Sequence, residues 1–132
     1  MKHPERVEDY LEHIAEAIDN ATAYIRELDN VAALERDHKT QAAVIRNIEI
    51  IGEAANTIQK QAPDFFTAHP ELPWKDMRAM RNKVIHDYFD VELTVIWSTV
   101  KEDLPQLKQQ INALLIEHRR GAKHEREQDP SR

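Results

Sequence analysis

VEDYLEHIAEAIDNATAYIREL, residues 7–28, places Val7, Leu11, Ile14, Ile18, Ala21, Ile25 and Leu28 at alternating steps of four and three. An α-helix turns by about 100° per residue, so this spacing gathers the apolar side chains into one stripe, where a half-buried strand would need strict alternation. Pro4, just ahead of it, is acceptable in a first helical turn. A second stripe runs Val44, Ile48, Ile51, Ala55 and Ile58, widened by Ile45, and Pro63 ends it because proline cannot donate to the preceding turn. Another follows through Leu93, Trp97, Val100, Leu104, Leu107, Ile111 and Leu114. For this last helix Asp90 is the expected N-cap, with Glu92 in the first turn and a kink at Pro105. Residues 29–38, DNVAALERDH, read as a break with one short turn of helix. Residues 63–74, PDFFTAHPELPW, hold three prolines and read as a loop that folds Phe65, Phe66 and Trp74 back on the core. A shorter helix then begins near Trp74 or Lys75. These elements predict an all-α protein, an antiparallel bundle of four or five helices. Stripes that keep a 3.5-residue mean spacing leave a face for a second copy, so a homodimer is expected.

Composition agrees with that class. The chain has 132 residues, two glycines and no cysteine, which leaves few turn residues for a sheet protein and removes disulfides, thiolate zinc sites and a Cys nucleophile. Its length suits one domain, expected over residues 1–118, followed by a charged and disordered tail at 119–132; the apolar period is already lost in EHRRGAKHEREQDPSR, residues 117–132. Neither a secretory leader nor an 18-residue apolar span is visible, so a non-membrane, cytoplasmic protein is expected. A net charge of −6 argues against coating nucleic acid with the whole surface, since that mode depends on broad neutralisation of phosphates.

Residues 80–89, MRNKVIHDYF, depart from the pattern. Between Lys75 and His86, the cations Lys75, Arg78, Arg81 and Lys83 oppose only Asp76 in this acidic chain, a local reversal that can attract phosphate. Arg81 offers a planar fork for phosphate oxygens, and His86 a side chain able to move a proton near neutral pH. Asn82, four residues before His86, would share its helical face and could orient the imidazole or hold a substrate oxygen. Arg81 and His86, five apart, would sit roughly 140° from each other on a straight helix. To act together they need the helix to end near His86, or two copies to pool their motifs. The alternative is structural: Arg81 pairs with a bundle carboxylate and His86 packs near a helix end. Glu53 could orient Arg81 or be solvated, and Gly52 suits close helix packing. No metal site is expected: the one Glu-x-x-His pair, Glu35 to His38, lacks the second copy that a di-metal bundle requires. Nor is there a glycine-rich phosphate loop or a Ser-centred nucleophile motif.

RNKVIHDY at 81–88, with QAAVIRNIEIIGEAANTI before it and IWSTVKEDLPQLKQQI after it, resembles the HepT-like toxins of the HEPN superfamily from Arg6 to Ile116. The resemblance implies the HEPN helical bundle and a metal-independent endoribonuclease, without a cofactor, acting as the toxin of a toxin–antitoxin pair on RNA, including tRNA. It implies Arg81 and His86 as the catalytic pair with Asn82 in support, and Lys75, Arg78 and Lys83 become the expected RNA-binding cations. Tyr88 matches the tyrosine to which an MntA-type nucleotidyltransferase antitoxin attaches adenylate, and the added charge and bulk would close the RNA groove. The competing expectation is a non-catalytic helical dimer that binds a nucleotide or a nucleotidyltransferase.

Overall fold

In the computed structural model, which describes residues 7–87 and 90–128 and leaves the side chains of 85–87, 90 and 122–128 aside, the predicted stripes become the core. Helix α1 (Val7–Arg26) packs on α3 (His38–Gln61) and on α7 (Leu104–Gln128), and α3 also carries α5 (Trp74–Val84). Tyr10 lies opposite Gln61 and Asn20 opposite Asn47, so α1 and α3 run antiparallel. Leu11, Ile14, Ile18 and Ile25 from α1 and Ile48, Ile51 and Ile58 from α3 are fully buried against Met77, Leu104 and Ile111. The protein is thus an all-α helical bundle, and no helix among the described residues is long and apolar enough to cross a membrane.

The joints are made by identifiable residues. The segment 29–38 does hold one short helix, α2 (Val31–Glu35), capped by the Asn30 side chain accepting from Ala33 N–H at 2.9 Å. Asp37 caps α3, accepting from the Thr40 amide at 3.0 Å and from its hydroxyl at 2.7 Å. The Thr40 hydroxyl, then its amide, hold the Asp37 carboxyl below its ordinary value, so this cap acts above about pH 4 and is lost as the pH falls through the lowered value.

Four expectations need correction. Residues 63–74 are not all loop: α4 (Pro63–Ala68) occupies the first half. Pro63 both ends α3, by driving Ala62 to φ −136° and ψ 61°, and starts α4, because its fixed φ suits a first helical position. Trp74 is buried and Phe65 and Phe66 pack half-buried on the core, as expected. Asp90 does not cap the next helix. It pairs with Asp87 in an antiparallel ribbon of β1 (Ile85–Asp87) and β2 (Asp90–Val91), the Glu92 amide donates to Val84 O at 2.8 Å, and α6 (Leu93–Ser98) starts only after Glu92. The interruption before Pro105 is a π-helical turn, Thr99–Asp103, in which the Leu104 amide donates to Thr99 O. Such a turn accommodates the proline, which has no amide proton to offer the preceding turn. Its wider repeat shifts the helical phase: Ile96 takes the buried place expected for Trp97, and Trp97 lies half-exposed with the Lys101 ammonium 5.3 Å from its ring centroid. Finally, α7 continues to Gln128, past the end of the apolar stripe. Arg119 there binds Glu8 at 2.8 Å and Glu12 at 2.5 Å, tying the late turns of α7 to the start of α1.

Gly52 sits directly against the backbone of α5. A Cβ built on it would lie 3.1 Å from the Met77 carbonyl oxygen, a backbone atom with little freedom to retreat. Gly52→Ala gains helix propensity of up to about 1 kcal/mol and loses it again to this contact. Gly52→Val has no such compensation, and thermal denaturation followed by circular dichroism should show it about 1–3 kcal/mol less stable than the wild type.

Candidate functional site

Helix α5 buries Trp74, Met77, Met80 and Val84, residues spaced by three and four, and so turns Lys75, Arg78 and Arg81 outward at intervals of three. Three residues rise about 4.5 Å, so these cations form a ladder up one side of the helix toward its C-terminal end. Cations near that end also face the negative pole of the helix dipole.

Each rung is held differently. Arg78 donates from Nη1 to the Gln59 side chain on α3 and from Nε to Trp74 O at 3.4 Å, with its guanidinium carbon 5.8 Å from the Phe66 ring centroid. Arg81 donates from Nε to Glu49 Oε2 at 3.1 Å, and its side chain remains 51% exposed. Lys75 is exposed on the rim of a concavity of about 540 Å³ at the α4–α5 corner. Lys83 lies on another side of α5, on the rim of a cavity of about 260 Å³ shared with Asp76, Met80, Thr99 and Asp103. The five cation and amide candidates on this helix therefore do not converge on one point: Arg78 and Arg81 lie along α3, Lys83 faces the π-helical turn, and Lys75 and Asn82 are exposed.

Glu53 is not the partner of Arg81. It lines a cleft of about 380 Å³ between α1 and α3, with Tyr10, His13, Glu16 and Asn20. Because α5 runs antiparallel to α3 and is pinned at Gly52 by Met77, Arg81 reaches the stretch before Gly52 and meets Glu49. Glu49 and Gln59 were missed in the sequence because nothing local signals the register of two facing helices.

The chain path at the motif is decisive for geometry. Helix α5 stops at Val84 and the backbone enters β1 at Ile85, so His86 follows the helix instead of continuing it. The 140° separation of Arg81 and His86 therefore does not apply, and neither does the shared helical face expected for Asn82 and His86. The His86 side chain and the whole of Tyr88 lie outside the described residues.

Comparison with known proteins follows the same span. The family described as ribonuclease HepT-like matches residues 14–114. A Thermococcus cleftensis protein named "Probable ribonuclease HepT" is 53% identical over 100 residues, covering 76% of this chain and 87% of that protein. A Caldanaerobacter subterraneus subsp. tengcongensis protein named as a candidate RNase is 33% identical over 106 residues, covering 80% of this chain and 91% of its own. Another so named, from Methanocaldococcus jannaschii, is 34% identical over 105 residues, with 80% and 93% covered. No solved structure matches significantly.

An exposed ion pair contributes between zero and about 1 kcal/mol, because water screens the attraction and ordering two long side chains costs entropy. Arg81→Ala and Glu49→Gln should each change the unfolding free energy in urea by less than about 1 kcal/mol. A loss of several kcal/mol in Arg81→Ala would mean that the arginine is held for stability.

Proposed function

This chain belongs to the HepT-like ribonuclease family, and from that premise we propose that it is a metal-independent endoribonuclease whose chemistry lies with Arg81 and His86. The observation that carries the assignment of residues is the end of α5 at Val84: an exposed arginine stands in the last turn of a helix, and the histidine follows in the strand that replaces it. His86 takes the proton from a ribose 2′-hydroxyl, whose oxygen attacks the adjacent phosphorus. The bond from phosphorus to the 5′-oxygen breaks, leaving a 2′,3′-cyclic phosphate, and the departing oxygen receives a proton from the imidazolium or from water. Arg81 offers N–H donors to the charge that develops on the phosphoryl oxygens. Asn82 supports a substrate oxygen, and Lys75, Arg78 and Lys83 supply positive potential along the strand. The nucleophile is the substrate's own hydroxyl, so DNA is not cut.

We further propose that the enzyme is the toxin of a toxin–antitoxin pair. A nucleotidyltransferase antitoxin of the MntA type would attach adenylate to the Tyr88 hydroxyl, two residues beyond His86, with loss of pyrophosphate from ATP. The anionic nucleotide would then occupy the RNA path.

One assay tests both parts: total cellular RNA, in EDTA, with wild type and His86→Ala purified identically and free of partners. Cleavage by wild type alone supports the assignment, and 2′-deoxy substrates should resist. Equal cleavage by both would remove His86 from the chemistry. If both are silent, an intact mass raised by one or more adenylates points to a toxin disarmed at Tyr88, and an unmodified mass favours a non-catalytic module. The homodimer carries its own expectation. Arg81→Ala and His86→Ala protomers, inactive alone, should regain activity when mixed if the site is shared across two copies, while separate sites would leave the exchanged mixture inactive.

A further inference from the structure

The concavity of about 540 Å³ at the α4–α5 corner joins an aromatic wall, which the cleavage chemistry does not use, to two cations that so far enter it only through their charge. Its wall carries Phe66, half-buried with a ring centroid 5.1 Å from that of Trp74. Arg78 covers the same ring at 5.8 Å, with the guanidinium fixed by Gln59 from α3 and by the Trp74 carbonyl. On the rim, Lys75 has no hydrogen-bonding or ion-pair partner among the described residues. Aromatic rings and immobilised guanidinium planes are the surfaces on which proteins stack unpaired bases, and an adjacent free ammonium suits the phosphate of the same nucleotide.

We propose that this concavity is a base-stacking subsite for an unpaired nucleotide of the RNA substrate, flanking the bond that is cut. The base lies against the outer side of Arg78, which Phe66 backs at 5.8 Å, and Lys75 holds the neighbouring phosphate. The inference rests on the ribonuclease assignment and adds to it a substrate class, single-stranded RNA, and a role for Phe66 that the motif does not contain. The placement follows from the ladder on α5. Arg78 is one step of three residues from Arg81, about 4.5 Å along the axis, so a strand whose phosphate meets Arg81 passes the corner with its next nucleotides. Two further cavities among the described residues fit this role less well. The α1–α3 cleft carries Glu16 and Glu53, and the cavity beside Lys83 carries Asp76 and Asp103 without an aromatic ring. Asp76 also touches the rim of the corner concavity, where its carboxylate can accept from an exocyclic amine of the base.

The test separates binding from cutting. A fluorescein-labelled, fully 2′-O-methylated single-stranded oligonucleotide lacks the nucleophile and stays intact, so anisotropy reads affinity alone. Wild type, Phe66→Leu and Arg78→Lys are compared, the first change keeping apolar bulk and the second keeping charge on an exposed position. Each should bind about tenfold more weakly, the loss expected for one base stack. An abasic nucleotide moved along the oligonucleotide should weaken wild type at one position and cost Phe66→Leu little there. Arg78→Lys binding like wild type, with the same abasic penalty in both proteins, would overturn the subsite and leave the ribonuclease assignment standing. Failure of wild type to bind any such oligonucleotide, while still cutting cellular RNA, would overturn the single-strand preference. Neither binding nor cutting would bring down both.

Discussion

The approach of the α5 backbone to Gly52 is the constraint on which the candidate site depends. With the Met77 carbonyl 3.1 Å from the place a Cβ would occupy, α5 cannot slide along α3 without a steric clash or a gap in the core. That single height determines which residues face each other across the two helices: Gln59 with Arg78, and Glu49 with Arg81. Below it, α3 buries Ile48, Ile51 and Ile58 at 0% exposure, so the platform that carries α5 is the rigid centre of the bundle. The cations are exposed, yet their positions are inherited from the most buried part of the molecule.

The functional geometry otherwise comes from interruptions. Ala62 and Pro63 turn α3 into α4 and bring Phe66 beside Trp74. Val84 ends α5, with its carbonyl taking the Glu92 amide and the β1–β2 ribbon lying between, so the segment holding His86 leaves the helix axis at once. The π-helical turn at Thr99–Asp103 supplies part of the wall of the cavity beside Lys83. All three interruptions lie next to α5, and the long uninterrupted helices α1 and α3 lie behind it.

This division explains what could be read from the chain alone. The stripes of α1 and α3 were legible because helical periodicity is local and every core position in them faces the same way; Val44, Ile48, Ile51, Ala55 and Ile58 are all fully buried. The polar motif was legible for the opposite reason, as charge in the wrong place. Prolines misled, since Pro63 marks an end and a beginning with the same fixed φ, and only the first was expected. Asp90 satisfied every local rule for an N-cap but was taken by pairing with Asp87, a contact that helix rules do not contain. Trp97 lost its buried place to Ile96 through a phase shift that Pro105 hinted at without locating. Phe66 was legible as a core aromatic but not as the ring beneath Arg78, and Glu49 and Gln59, which hold the two arginines, depend on register between helices and left no local signal.

Glu49 bears on whether Arg81 is structural or chemical, and the two roles are compatible. A guanidinium has five N–H donors, and the contact seen here uses Nε, the edge nearest the stem. Donors remain for a phosphate, while the carboxylate restricts the rotation of a long side chain that would otherwise lose entropy when substrate binds. The cost is competition: a carboxylate close to an incoming phosphate repels it. The neighbouring cations on α5 offset that repulsion without adding positive charge elsewhere on a chain of net charge −6. In the reaction proposed above, a free arginine would attract RNA more strongly and hold the transition state less well, because catalysis depends on donors already aimed at the charge that forms.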